Sequence, residues 1–175
     1  MSKETLLVPI VFPNPGIHPI HESFVKELSG FDISLLGYWE VDEGKSVEEV
    51  REKNETEAEA VLYDLAARFS EQGSSTDIQL YFGPSGEEER NLRDRVVEQT
   101  HASAVLFPSR STLLRKVLVA VKDEDQQDKL VNLVAGLDPD TTLRIELYHA
   151  VEDEDELEAA EEMLADMREK LIQEG

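Results

Sequence analysis

Leu6-Leu7-Val8-Pro9-Ile10-Val11-Phe12 is an uninterrupted apolar run, closed by Pro13-Asn14-Pro15-Gly16. A strand with one wet face would alternate apolar and polar residues. A continuous run stopped by turn residues reads instead as a strand buried on both faces, the kind a parallel sheet needs. The helices that would cover such a sheet follow along the chain. A short helix is expected over residues 20–28, ended by Gly30, and then a second strand over 32–41. Ser46-Val47-Glu48-Glu49 has the form of a capping box and opens a long helix to about residue 71. Its apolar stripe is Val61, Leu62, Leu65, Ala66 and Phe69, and the more polar stretch 51–59 is expected to project beyond the core.

Further on, Ile78, Leu80 and Phe82 alternate with polar residues in a third strand over 77–82. Gly83-Pro84-Ser85-Gly86 turns the chain into a helix whose first residues, Glu87, Glu88 and Glu89, suit a helix N-terminus. Ala104-Val105-Leu106-Phe107 is a fourth strand, residues 116–121 a fifth and 144–151 a sixth. Helices are expected over 126–137 and 155–172, the last with the stripe Leu157, Ala160, Met163, Leu164, Met167 and Leu171. Strands alternating with helices predict an α/β fold with a doubly wound, mainly parallel sheet.

Only Pro108 to Arg115 separates the fourth strand from the fifth. A parallel crossover needs about a dozen residues or more. The strand at Lys116 therefore runs antiparallel, starts a second sheet, or pairs with another chain. Leu6-Leu7-Val8-Pro9-Ile10 aligns with Val117-Leu118-Val119-Ala120-Val121, and the segment Ser34 to Val41 of the second strand aligns with Arg144 to Val151. The chain thus divides into a unit over 1–115 and a partial β-α-β-α repeat over 116–175, packed on the first unit or exchanged in a dimer.

Seventeen Lys and Arg against thirty-nine Asp and Glu give a net charge of −22 over 175 residues. That charge argues against nucleic acid and anionic membranes as partners. It is spread along the chain, unlike an acidic tail, and no D-x-D-x-D-G cation loop occurs. Adaptation to a salty cytoplasm accounts for it best, because salt screens the self-repulsion of so acidic a surface. There is no Cys, so disulfides and thiolate chemistry are excluded. Apolar stretches are too short to span a bilayer, and a cytoplasmic location is expected.

The opening Leu6-Leu7-Val8-Pro9-Ile10, the Trp39-Glu40-Val41 ending, the Phe82-Gly83-Pro84 turn and the Ala102-Ser103-Ala104-Val105-Leu106-Phe107 strand together resemble the universal stress protein family. The resemblance runs from Thr5 to about Ser111 and implies an adenine nucleotide alpha hydrolase-like fold. Members that bind ATP place an Asp at the end of the first strand, where this chain has Val11, or Lys122 in the second copy. They carry a G-x-x-G phosphate loop after the fourth strand. Here that place holds Pro108-Ser109-Arg110-Ser111-Thr112, and no Gly occurs between Gly86 and Gly136. Glycines let a backbone approach phosphates closely, so their loss argues against the usual ATP site and for a module without a cofactor.

A ligand crevice remains open at Ser109, Arg110, Ser111, Thr112 and Gly83, beyond the carboxyl ends of strands, where hydroxyls and a guanidinium can hold an anion. A plain polar turn accounts for the same residues. His18 and His21 have a spacing that two metal ligands could use, but no third ligand flanks them and a surface helix start explains them better. His149 reads as a packed or edge residue and His101 as a loop residue. Tyr38 and Trp39 read as core or sheet-edge aromatics, with a ligand platform the alternative. No catalytic motif is present, which leaves a non-enzymatic stress-response or regulatory module. Its expected partners are a second copy of itself or a docking partner such as a transporter or signalling protein. An ATP- or AMP-binding, weakly hydrolysing member using Ser109 to Thr112 is the alternative.

Overall fold

A computed structural model describes residues 3–13, 22–84, 87–107, 116–122, 124–137, 144–151 and 153–174. Strand β1 (Thr5–Phe12) leads through α1 (Glu22–Glu27) to β2 (Asp32–Glu40), and α2 (Val47–Glu71) leads to β3 (Thr76–Gly83). Helix α3 (Glu87–Thr100) then returns the chain to β4 (Ala104–Val105). These strands form one sheet in the order β3-β2-β1-β4, with every neighbouring pair parallel.

The continuous apolar run of β1 is explained by this order. Its even-numbered residues Leu6, Val8, Ile10 and Phe12 face one helical layer, where Val25 of α1, Leu28 just after it, and Leu62, Leu65 and Phe69 of α2 pack. Leu7 points to the opposite face, with Leu36 and Tyr38 of β2, against Leu92 and Val96 of α3. Two helices on one face and the returning helix on the other is what connections of a single hand produce in a doubly wound sheet. Ser46 caps α2 as expected, its Oγ accepting from the Glu49 amide at 3.5 Å.

The second unit consists of β5 (Lys116–Ala120), α4 (Gln127–Ala135), β6 (Arg144–Tyr148) and α5 (Leu157–Glu174). Strand β5 starts a new sheet and pairs only with β6, in parallel, among the described residues. Of the three routes open to this strand, the second sheet is the one taken. The ladders match Thr5 to Asp32 in one unit and Lys116 to Arg144 in the other.

Other expectations need correction. Strand β4 is two residues long, with a ladder that matches only Leu6 to Ala104 and Leu7 to Val105, although the Leu106 amide still donates to the Leu7 carbonyl at 2.8 Å. The polar stretch 51–59 does not wholly project from the core, since Ala58 is fully buried there. In α5 the stripe holds for Ala160, Met163 and Met167, which are buried, and for Leu164 and Leu171, which pack half-buried on the same core, but Leu157 is 50 % exposed.

The two units meet where each short helix ends. A Cβ on Gly30 would lie 2.1 Å from the Gly136 carbonyl oxygen, and one on Gly136 would lie 2.6 Å from the Phe31 ring. Leu133 and Leu137 pack against the core of the first unit beside this contact. A cavity of about 320 Å³, walled by Leu6, Phe31 and Val105 on one side and Val117, Leu130 and Leu133 on the other, lies along the seam.

Candidate functional site

In a doubly wound sheet, ligands bind beyond the carboxyl ends of the strands, where the winding reverses. Here that place lies between β1 and β4. Its described residues are Phe12, Pro13, Leu106 and Phe107, and the Arg93 guanidinium sits 5.4 Å from the centre of the Phe107 ring. Ser109, Arg110, Ser111 and Thr112, expected to line this crevice, lie outside the described residues, as do His18 and His21.

Beside it, the carboxyl ends of β1, β2 and β3 carry an aromatic stack. Phe12, Trp39 and Phe82 are register partners across the parallel strands, so they share one face of the sheet. Phe12 and Trp39 stack at 5.4 Å between ring centres with 5° between planes, and Trp39 and Phe82 at 6.0 Å with 16°. Arg51 of α2 covers the outer end, 5.5 Å from the Phe82 ring centre. Both faces of the indole are therefore occupied. Trp39 is a core residue and has no ring face to offer as a ligand platform.

Tyr38 points to the other face. Its hydroxyl donates to the Pro84 carbonyl, tying β2 to the turn after β3. Gly83 lies beneath that hydroxyl, and a Cβ there would come within 2.8 Å of Tyr38 Oη. The missing side chain at 83 makes room for the tyrosine. Tyr38→Phe is expected to lower stability by about 1 kcal/mol, read from a urea titration, because one part-buried hydrogen bond is lost with little change of shape.

Gly83 also borders a cavity of about 480 Å³ with Tyr81, Asn91, Leu92 and Arg95 between the sheet and α3. It is the one residue of the predicted crevice that the structure describes. Asn91 and Arg95 are exposed at this mouth, and the Tyr81 hydroxyl donates to Gln79 Oε1 at 3.2 Å. A second hollow of about 420 Å³ on the other side of the sheet mixes charges, with Glu40, Asp42 and Glu49 beside Lys45 and Lys53. Among the described residues no three His, Asp or Glu side chains are grouped to hold a metal ion.

His149 is an edge residue, as expected. Its Nδ1 donates to the Val121 carbonyl at 2.7 Å, and the Val121 amide donates to the Tyr148 carbonyl at 2.8 Å, so the two contacts extend the β5–β6 pairing. His101 occupies a left-handed turn (φ 52°) after α3.

The second unit presents a different surface. One face of β5–β6 packs Val119 and the half-buried Val117, Ile145 and Leu147 against α4 and α5. On the other face Leu118 is 60 % and Tyr148 52 % exposed. Lys116 and Arg144 both pair with Glu146 there, the latter at 3.1 Å. The hydrogen bond from Lys116 holds the Glu146 carboxyl below the ordinary carboxylate range, and the charges of Lys116 and Arg144 add to this. No helix among the described residues is long and apolar enough to cross a membrane.

In comparisons with family models, curated proteins and solved structures, none matches this chain. Sequence reasoning did not find the aromatic stack, the Gly30–Gly136 contact or the open surface of the second unit. One signal for the stack is present in the sequence: each of the first three strands carries an aromatic residue at or next to its last position, Phe12, Trp39 and Phe82.

Proposed function

We propose that this chain is a non-enzymatic, universal-stress-protein-like regulatory module that works by self-association through its second unit. The observation that carries this reading is the β5–β6 sheet. Parallel sheets are ordinarily covered on both faces, and an unpaired strand edge invites another chain. This sheet has two strands, an outer edge on β6 without a ladder partner among the described residues, and a face on which Leu118 and Tyr148 stand in solvent. A second copy covering part of that unit removes apolar surface from water. Docking on a transporter or signalling protein is the form the same surface takes when the partner differs.

Light scattering of the purified chain is expected to give a dimer mass, and a monomer at every concentration would sink the reading. The cavity beside Gly83, within the size range of ligand pockets and carrying Asn91 and Arg95 at its mouth, favours one competing reading, an adenine-nucleotide binder. Native mass spectrometry of gently purified protein separates the two. The bare polypeptide mass is expected, and a stoichiometric adenine nucleotide would replace this proposal with its rival.

A further inference from the structure

In the first unit, β3 lies against the outer edge of β2 and beneath α2. The corresponding place in the second unit, beside β6 and beneath α5, is a groove of about 500 Å³. Ile145 and Leu147 form its floor, and Leu164, Arg168, Leu171 and Ile172 of α5 form its wall, with Glu161 and Ala165 on the same helix face.

The buried face of α5 is Ala160, Met163 and Met167. Beside it, Leu157, Glu161, Leu164, Ala165, Arg168 and Ile172 recur at helical spacing and fall within a sector of about 100°, at roughly 100° per residue. Leu157 and Ile172, at the two ends of this stripe, are 50 % and 69 % exposed. Neither Glu161 nor Arg168 has an ion-pair partner among the described residues.

The stripe is complementary to its own reversal. Turned about the point midway between Leu164 and Ala165, it places Leu157 on Ile172, Glu161 on Arg168 and Leu164 on Ala165. A small residue meets a large one at the centre, opposite charges meet on either side, and the exposed apolar ends meet each other. Parallel packing would instead set Glu161 against Glu161 and Arg168 against Arg168. We propose that two copies associate by packing α5 against α5 antiparallel along this groove, through an isologous two-fold contact. This rests on the self-association reading above and gives it a register and a surface beside the unpaired edge of β6, on the face opposite Leu118 and Tyr148. The stripe carries one acid and one base, so it is locally neutral on a chain of net charge −22, where most surfaces repel their own copies.

The test is sedimentation equilibrium of the full chain over about 1 µM to 1 mM protein, in about 0.15 M salt. Arg168→Glu sets two carboxylates opposite each other at both symmetric positions, and Glu161→Arg sets two cations opposite each other. Each is expected to raise the dimer Kd at least about tenfold. The double variant E161R/R168E restores opposite charges only in the antiparallel register, and its Kd is expected within about threefold of wild type. Lys53→Glu, on α2 of the first unit, makes the same charge change as R168E and is expected to leave Kd within about threefold. Circular dichroism checks that each variant is folded. A wild-type dimer indifferent to both single reversals overturns α5 as the surface and leaves self-association standing. Weakened single variants without recovery in the double overturn the antiparallel register. A wild type that is monomeric throughout overturns both the surface and the self-association reading.

Discussion

Trp39→Ala is expected to lower the unfolding free energy of the first unit by about 3–5 kcal/mol, the range for deleting a large buried aromatic. The indole is 7 % exposed and holds two neighbours at once, with Phe12 stacked on one face and Phe82 on the other. Those rings belong to the strands on either side of β2, so the truncation opens a cavity across the carboxyl ends of three strands together. Collapse can refill little of it, because each remaining phenylalanine is anchored by its own ladder. Trp39→Phe keeps a flat ring in the stack and is expected to cost less than half as much. Trp39 is the one tryptophan in the chain, so circular dichroism in urea rather than intrinsic fluorescence must follow unfolding of the alanine variant. A loss below about 1 kcal/mol would show that the stack contributes no packing beyond ordinary surface contact.

The second large effect is expected at the seam. Gly30→Ala places a methyl group 2.1 Å from a main-chain oxygen of Gly136, and no rotamer change can relieve a clash between a Cβ and a backbone atom. The units must move apart, which withdraws Leu133 and Leu137 from the first core and strips the seam of apolar contact. Overpacking of this kind costs about 1–3 kcal/mol, and a site where backbone meets backbone belongs at the upper end. The loss should be confined to the seam. Amide hydrogen exchange is expected to speed up in α4 and change little in the second halves of β1 and β2, which lie away from the contact. Unchanged exchange in α4 would mean that the units are held together elsewhere.

How much of this was readable beforehand depends on what each residue reports. The run Leu6–Phe12 announced a central parallel strand because both of its faces are buried, and burial on two faces leaves no polar residue to blur the pattern. Ala104-Val105-Leu106-Phe107 reads equally well as a strand but pairs over only two residues. Propensity records what a side chain tolerates and not how far the chain stays alongside its neighbour. Leu157 looked like part of the core stripe because hydrophobic periodicity assumes a wide surface beneath the helix. The β5–β6 sheet has two strands, wide enough to bury Ala160, Met163 and Met167 and to half-cover Leu164 and Leu171, but not to reach Leu157. Ala58 was missed for the opposite reason: a small residue among glutamates carries little weight in any periodicity, yet it lets a long helix approach the sheet. The contact of Gly30 with Gly136 joins segments more than a hundred residues apart, and no local pattern encodes it.

The order β3-β2-β1-β4 has a consequence for the chain while it is being made. The strand in the middle of the sheet is the first one synthesised, and its second neighbour, at Ala104–Val105, comes about ninety residues later. At about 5–20 residues per second, one edge of an apolar strand stays bare for several seconds on every nascent copy. Neighbouring nascent chains can pair with that edge, including Leu6 and Leu7, the positions that β4 eventually takes. The glutamates along α2 are all made within that interval, and their mutual repulsion keeps one half-finished chain away from the next.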